Sequence, residues 1–203
     1  MNHSLLITIT VLSLLAGCSP DEPLISSYQD EWRLLVAGPN GLSTYTMPAG
    51  ELANGNVWSG PLGDAYPASE LNRFRDEIYV LHRSQPWIIV ISESTLLATD
   101  TIDLGTNGPA TEIAFANATT AYVTLAATKC VGIIDITTNS LVRTIDLGTR
   151  PAGIAATGNQ ICVALVDVNE VAVIDSRTNV VEARLGVDRA PVYVEADDLN
   201  SIF

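Results

Sequence analysis

The chain has 203 residues, with ten basic against 23 acidic side chains and a net charge of −13. Binding to a nucleic-acid backbone requires a basic face, so this balance excludes nucleic acid as the partner class. Hydrophobic residues make up 47% of the chain, enough for one core of ordinary size.

Leu5 to Leu15 form an apolar run broken only by Thr8, Thr10 and Ser13. The run is too short to span a bilayer and has the length of a signal-peptide core. Leu15-Ala16-Gly17-Cys18 follows directly and resembles the lipobox of bacterial lipoproteins. That resemblance implies cleavage after residue 17, lipidation of Cys18 and export to a membrane surface. Ser19 rather than Asp after the cysteine implies the outer membrane by the family rule. The n-region Met1-Asn2-His3-Ser4 carries no Lys or Arg, and an ordinary cleaved signal with an incidental cysteine is the alternative. Residues 18–31 then read as a lipidated tether, because prolines, acids and small polar residues cannot bury a core. The folded part begins at Trp32.

Self-comparison of the rest reveals a repeat. Leu-Gly pairs stand at 62–63, 104–105, 147–148 and 185–186, each followed by a proline: Pro67, Pro109, Pro151 and Pro191. The proline spacings of 42, 42 and 40 lie in the range of propeller blades. Within a period the sequence reads as four short strands. In the third copy these are Pro151–Ala156, Ile161–Leu165, Val171–Ser176 and Val180–Leu185, with a turn at Gly158-Asn159. Asp135 and Asp175 recur ahead of Thr138-Asn139 and Thr178-Asn179, residue types that bond local backbone in turns.

Tyr122-Val123-Thr124, the Ile-Asp…Thr-Asn turn and the Leu-Gly…Pro closure resemble the YVTN-type β-propeller repeat, from about Gly60 onward. The resemblance implies an all-β propeller of four-stranded antiparallel blades occupying residues 32–203. Blade periods fall near 67–108, 109–150 and 151–190, with partial copies at both ends. About four repeats are present. Ile202-Phe203 aligns with Cys162-Val163, so the reading is an incomplete, truncated ring. A closed four-blade ring, completed by N-terminal strands around Leu34, Tyr45 and Val57, is the alternative.

If the first strand of each blade is innermost, the Leu-Gly…Pro loops surround the channel mouth. They bring Asp64, Tyr66, Asn107, Arg150, Asp188 and Arg189 there, with His82, Arg83, Lys129, Asp167 and Glu170 farther out. Four of the ten basic residues, Arg83, Lys129, Arg150 and Arg189, map to this face. Arginine forks bind carboxylates and phosphates bidentately, which suits a small anionic ligand. The bland alternative is that these arginines pair with Asp64, Asp167, Glu170 and Asp188 across neighbouring loops.

Glu70 and Glu112 occupy matching positions 42 residues apart, where the third and fourth copies align Ile154 and Val194. Two such carboxylates in a channel are candidate ligands for a divalent cation, or a base in a metal-assisted lyase or lactone hydrolase. They also suit simple acceptance of backbone hydrogen bonds. Cys130 and Cys162 match no zinc or CxxC spacing; an exported chain permits a disulfide between them, and two small buried thiols in neighbouring repeats are the bland reading. No triad, phosphate-loop or haem-attachment motif is present, so no catalytic residue is assigned and no cofactor beyond that cation is implied.

Three functions remain open: a lipid-anchored envelope module binding a protein, glycan or small ligand at its channel mouth; a metal-assisted propeller enzyme using Glu70 and Glu112; and a cofactor-carrying electron-transfer propeller. The first is the leading expectation.

Overall fold

The computed structural model describes residues 32–38, 41–47, 51–54 and 68–196. Cys18 with its signal and tether, and Asp64 and Tyr66, lie outside the described residues. The chain divides into two units at Pro67. The first contains a three-stranded antiparallel meander, β1 (Trp32–Gly38), β2 (Gly41–Met47) and β3 (Glu51–Asn54).

The second unit contains three four-stranded antiparallel sheets built in strict chain order. Blade one is β4 (Ala68–Phe74), β5 (Glu77–His82), β6 (Trp87–Ser92) and β7 (Ala98–Asp103). Blade two is β8 (Ile113–Phe115), β9 (Thr120–Leu125), β10 (Cys130–Asp135) and β11 (Ser140–Asp146). Blade three is β12 (Pro151–Thr157), β13 (Gln160–Leu165), β14 (Glu170–Asp175) and β15 (Val180–Gly186). The strands read in the third copy thus stand within a residue of where the sequence puts them.

The middle strands of each blade are apolar at both parities, and blade two is covered on both faces, by blade one and by blade three. In β9, Ala121, Val123 and Leu125 join a core with Tyr79, Leu81, Ile88 and Val90 of blade one. Tyr122, between them in sequence, points to the opposite face and joins Ile154, Ile161, Val163 and Leu165 of blade three. Period-2 alternation therefore divides one strand between two interfaces. Gly132 is small for the same reason: a Cβ there would sit 2.9 Å from both Leu141 Cδ1 and Val123 Cγ2.

The Asp…Thr-Asn signature forms the hairpins between the third and fourth strands. Asp175 Oδ1 accepts the N–H groups of Arg177 (2.7 Å) and Thr178 (3.2 Å), and Asn179 closes the turn at φ 59°. The Arg177 guanidinium and N–H hold the Asp175 carboxyl well below the usual carboxylate range. These turns also join blades: the Tyr122 hydroxyl donates to Asn179 Oδ1 at 2.6 Å. One blade earlier the same pair is unmade. Tyr79 donates to Glu77 Oε2 at 2.8 Å instead, and Asn139 Oδ1 is buried with no hydrogen-bond partner among the described residues.

Candidate functional site in the inner-strand channel

The first strands of the three blades line one cavity of about 370 Å³, together with residues 193–196. Side chains at alternate positions of a strand share a face, so β4 contributes Glu70, Asn72 and Phe74. Blade two contributes Glu112 and the Ile113–Phe115 strand, blade three Ile154, and the following segment Tyr193 and Glu195. Phe74 and Phe115 stack with ring centroids 4.3 Å apart, and the Arg75 guanidinium lies over Phe74 at 5.5 Å. The aromatic faces are therefore occupied by each other and by Arg75, and they form no open cage.

Both glutamates stand at β-bulges. In blade two, the Thr111 N–H bonds the Thr124 carbonyl and the Thr124 N–H bonds the Glu112 carbonyl, each at 3.0 Å, so two residues oppose one. Glu70 faces Leu81 across a register shift that begins at Ala68. In blade three, Pro151 pairs with Leu165 and Ile154 with Val163, which leaves Ala152 and Gly153 opposite Ala164. The residue equivalent to Glu112 is thus Gly153, not Ile154 as alignment on the prolines suggests. The connection from Leu147 to Pro151 is one residue shorter than that from Leu104 to Pro109, and the strand slips accordingly. At Gly153 the backbone of the next segment closes in: a Cβ would lie 2.7 Å from Tyr193 Cα and Val194 N.

The carboxyls differ in their partners. Glu112 Oε2 accepts the Ile154 N–H at 2.9 Å, tying blade two to blade three. Burial raises its pKa above the ordinary value, and that hydrogen bond opposes the rise. Burial also raises Glu70, the negative charge of Glu112 adds to the rise, and the nearby Asn72 amide and Ile113 N–H work against it. Glu70 Oε2 and Asn72 Nδ2 are both buried and make no hydrogen bond among the described residues. Tyr193, across the cavity, has its phenol raised first by the charge of Glu195, with Glu112 and Glu70 adding to it.

Two buried polar atoms, one acceptor and one donor, thus line a cavity and make no hydrogen bond of proper geometry among the described residues, although the Asn72 side chain lies close enough to the Glu70 carboxyl to stabilise its charge. Each such atom costs about 1–3 kcal/mol when left unmade, so the site is poised for a polar group that supplies both bonds. Among the described residues no group of three or more His, Cys, Asp or Glu is arranged to hold a metal ion.

The mouth residues are less assembled. Asn107 Nδ2 donates to the Leu104 carbonyl at 2.7 Å, within its own 3-10 turn at Gly105–Asn107. Arg150 pairs with Asp167 at 3.0 Å, the cross-loop pairing that the bland alternative foresees, and both side chains are half exposed. Glu170 pairs instead with Arg184 at 3.4 Å. Asp188 and Arg189 are exposed and make no ion pair among the described residues. No hydrogen bond or ion pair among the described residues joins Asn107, Arg150, Asp188 and Arg189 to one another. Cys130 and Cys162 are free thiols, Cys130 half-buried with its Sγ on the Thr128 carbonyl at 3.1 Å and Cys162 buried. Sequence reasoning missed Asn72, Tyr193 and Glu195 as channel residues. Asn72 was recoverable as the second position after Glu70, whereas the other two depend on how the segment after Pro191 packs.

No protein-family model matches the chain, and no curated protein matches it in sequence. Solved structures do match. Apo AztD from Citrobacter koseri aligns at 15% identity and TM-score 0.62, over 80% of this chain and 47% of that one. Dihydro-heme d1 dehydrogenase NirN, in complex with DHE, aligns at 16% and 0.64, over 77% and 36%. Hydrazine synthase from Kuenenia stuttgartiensis aligns at 20% and 0.57, over 62% and 37%. The chain thus spans between about a third and a half of these three chains. At such identities the likeness concerns fold, and all three are β-propeller proteins. With that likeness and its own three sheets in series, the chain is an all-β protein of four-stranded propeller blades, and the described blades form an unclosed ring.

Proposed function

We propose that this protein is a cell-envelope binding module, anchored through lipid on Cys18, whose ligand seats in the inner-strand channel. The observation that carries the reading is the pair of buried atoms Glu70 Oε2 and Asn72 Nδ2 in the cavity, neither hydrogen-bonded among the described residues. A small polar ligand that donates to the first and accepts from the second, such as a carboxamide or a hydroxylated molecule, is the class that fits. A divalent cation fits less well. Calcium takes six to eight oxygens, and here one carboxylate oxygen is already held by the Ile154 N–H. An anionic ligand is disfavoured inside the channel by Glu70, Glu112 and Glu195, and belongs if anywhere at Arg189 on the mouth.

The test is a thermal-shift screen of the full chain against small amides, polyols and sugars, repeated on Glu70→Gln and Asn72→Ala. A ligand of this site raises Tm in the wild type and loses roughly tenfold in affinity in either variant, the effect of about 1.4 kcal/mol from one buried hydrogen bond. Equal binding by wild type and both variants overturns the channel as the site.

A further inference from the structure

The three blades treat the end of their second strand differently. Leu125 and Leu165, the last residues of β9 and β13, are fully buried. The loops after them, Ala126–Lys129 and Val166–Asn169, close through residues at positive φ, Lys129 at 60° and Asn169 at 55°. In blade one the equivalent position is His82, which is 7% exposed, and its loop Arg83–Pro86 contains no residue at positive φ. The loop is held by the histidine instead: Nδ1 accepts the N–H of Ser84 at 3.0 Å and of Gln85 at 3.1 Å. A backbone N–H only donates, so Nδ1 carries no proton in this arrangement. The geometry reproduces an Asx turn with an imidazole nitrogen in place of the side-chain oxygen.

We propose that His82 is an acid-operated latch on the channel-mouth loop of blade one. Protonation converts Nδ1 from acceptor to donor, sets three donors against one another and releases Ser84 and Gln85. The consequence reaches the mouth. The Pro86 carbonyl accepts the Leu104 N–H at 2.8 Å, and Leu104 opens the connection that carries Asn107 to blade two. The charged groups on the elements around His82 are Glu70 and Arg73 on β4, Glu77 on β5, Asp100 and Asp103 on β7, and Arg83 on the loop; β6 has none. Asp103 Oδ1 is taken by the Gly105 N–H at 2.8 Å, Arg73 pairs with Glu93 at 2.8 Å, and Glu77 accepts from Tyr79. Burial of the imidazole against the edge of Trp87, 6.1 Å between centroids, favours the neutral ring and lowers its pKa.

The experiment is amide hydrogen exchange by NMR on the full chain from pH 7.5 to 4.5, corrected for intrinsic rates. Protection at Ser84 and Gln85 is expected to fall about tenfold per pH unit below the imidazole pKa, while the amides of Leu147 and Val187, which bond the Lys129 and Asn169 carbonyls of the sister loops, keep theirs. His82→Asn supplies an oxygen near the Nδ1 position that takes no proton in this range, and it is expected to hold the loop at every pH. Unchanged protection of Ser84 and Gln85 in the wild type overturns the latch. So does an equal loss in His82→Asn, or loss in step with the sister loops.

Discussion

Gly153 occupies the position that Glu70 and Glu112 occupy in the first two blades, and the substitution is a matter of space. In blade two the carboxylate bridges the gap to Ile154, whereas in blade three the backbone of Tyr193 and Val194 comes within 2.7 Å of where a Cβ would stand. Gly153→Ala is expected to destabilise by about 1–3 kcal/mol, since backbone rather than a flexible side chain must move. Urea denaturation measures it. Glu70 behaves in the opposite sense. Burial lifts its folded-state pKa above the unfolded value of ~4.3. The stability it contributes is therefore present below that unfolded value and is lost as pH rises through the folded one. Glu70→Gln is expected to raise Tm at pH 7 and to flatten the pH dependence above pH 4 in thermal melts. A lower Tm would mean that a partner compensates the charge.

At the scale of elements, the two tyrosines of the repeat are unequal. Tyr122 donates to a turn of the next blade, so Tyr122→Phe leaves Asn179 Oδ1 short of a bond and is expected to cost about 1–3 kcal/mol. Tyr79→Phe removes only a bond to Glu77 on its own strand and is expected to cost less; chemical denaturation of both variants ranks them. The contrast shows where sequence was informative. Runs such as Gln160–Leu165 and Glu170–Asp175 bounded by Asp, Asn and Thr announce strands and turns, because those residue types act locally. The bulge that slips Ile154 away from the Glu112 position depends on one residue missing from a loop. The failed Tyr79–Asn139 pairing depends on a competing carboxylate at Glu77. Neither consequence is local, so neither was legible, and the same holds for Tyr193 and Glu195 in the channel.

Across the molecule, alternation along single strands builds consecutive interfaces, with Val123 facing blade one and Tyr122 facing blade three. Leu125→Ala, in the core between blades one and two, is expected to cost about 2–5 kcal/mol. The proposed anchor is tested separately: Cys18→Ser is expected to abolish labelling by radioactive palmitate and to move the protein from the membrane to the soluble fraction. A wild-type protein that takes up no palmitate and is already in the soluble fraction would assign the leader to ordinary secretion. The most direct test of the channel as binding site is NMR chemical-shift mapping on the full chain, with a polar ligand that raises Tm. Perturbed amides clustered on Glu70, Asn72, Ile113, Ile154 and Tyr193 are the predicted result. Perturbations confined to Asn107, Arg150, Asp188 and Arg189 would move the site to the mouth loops and contradict the account.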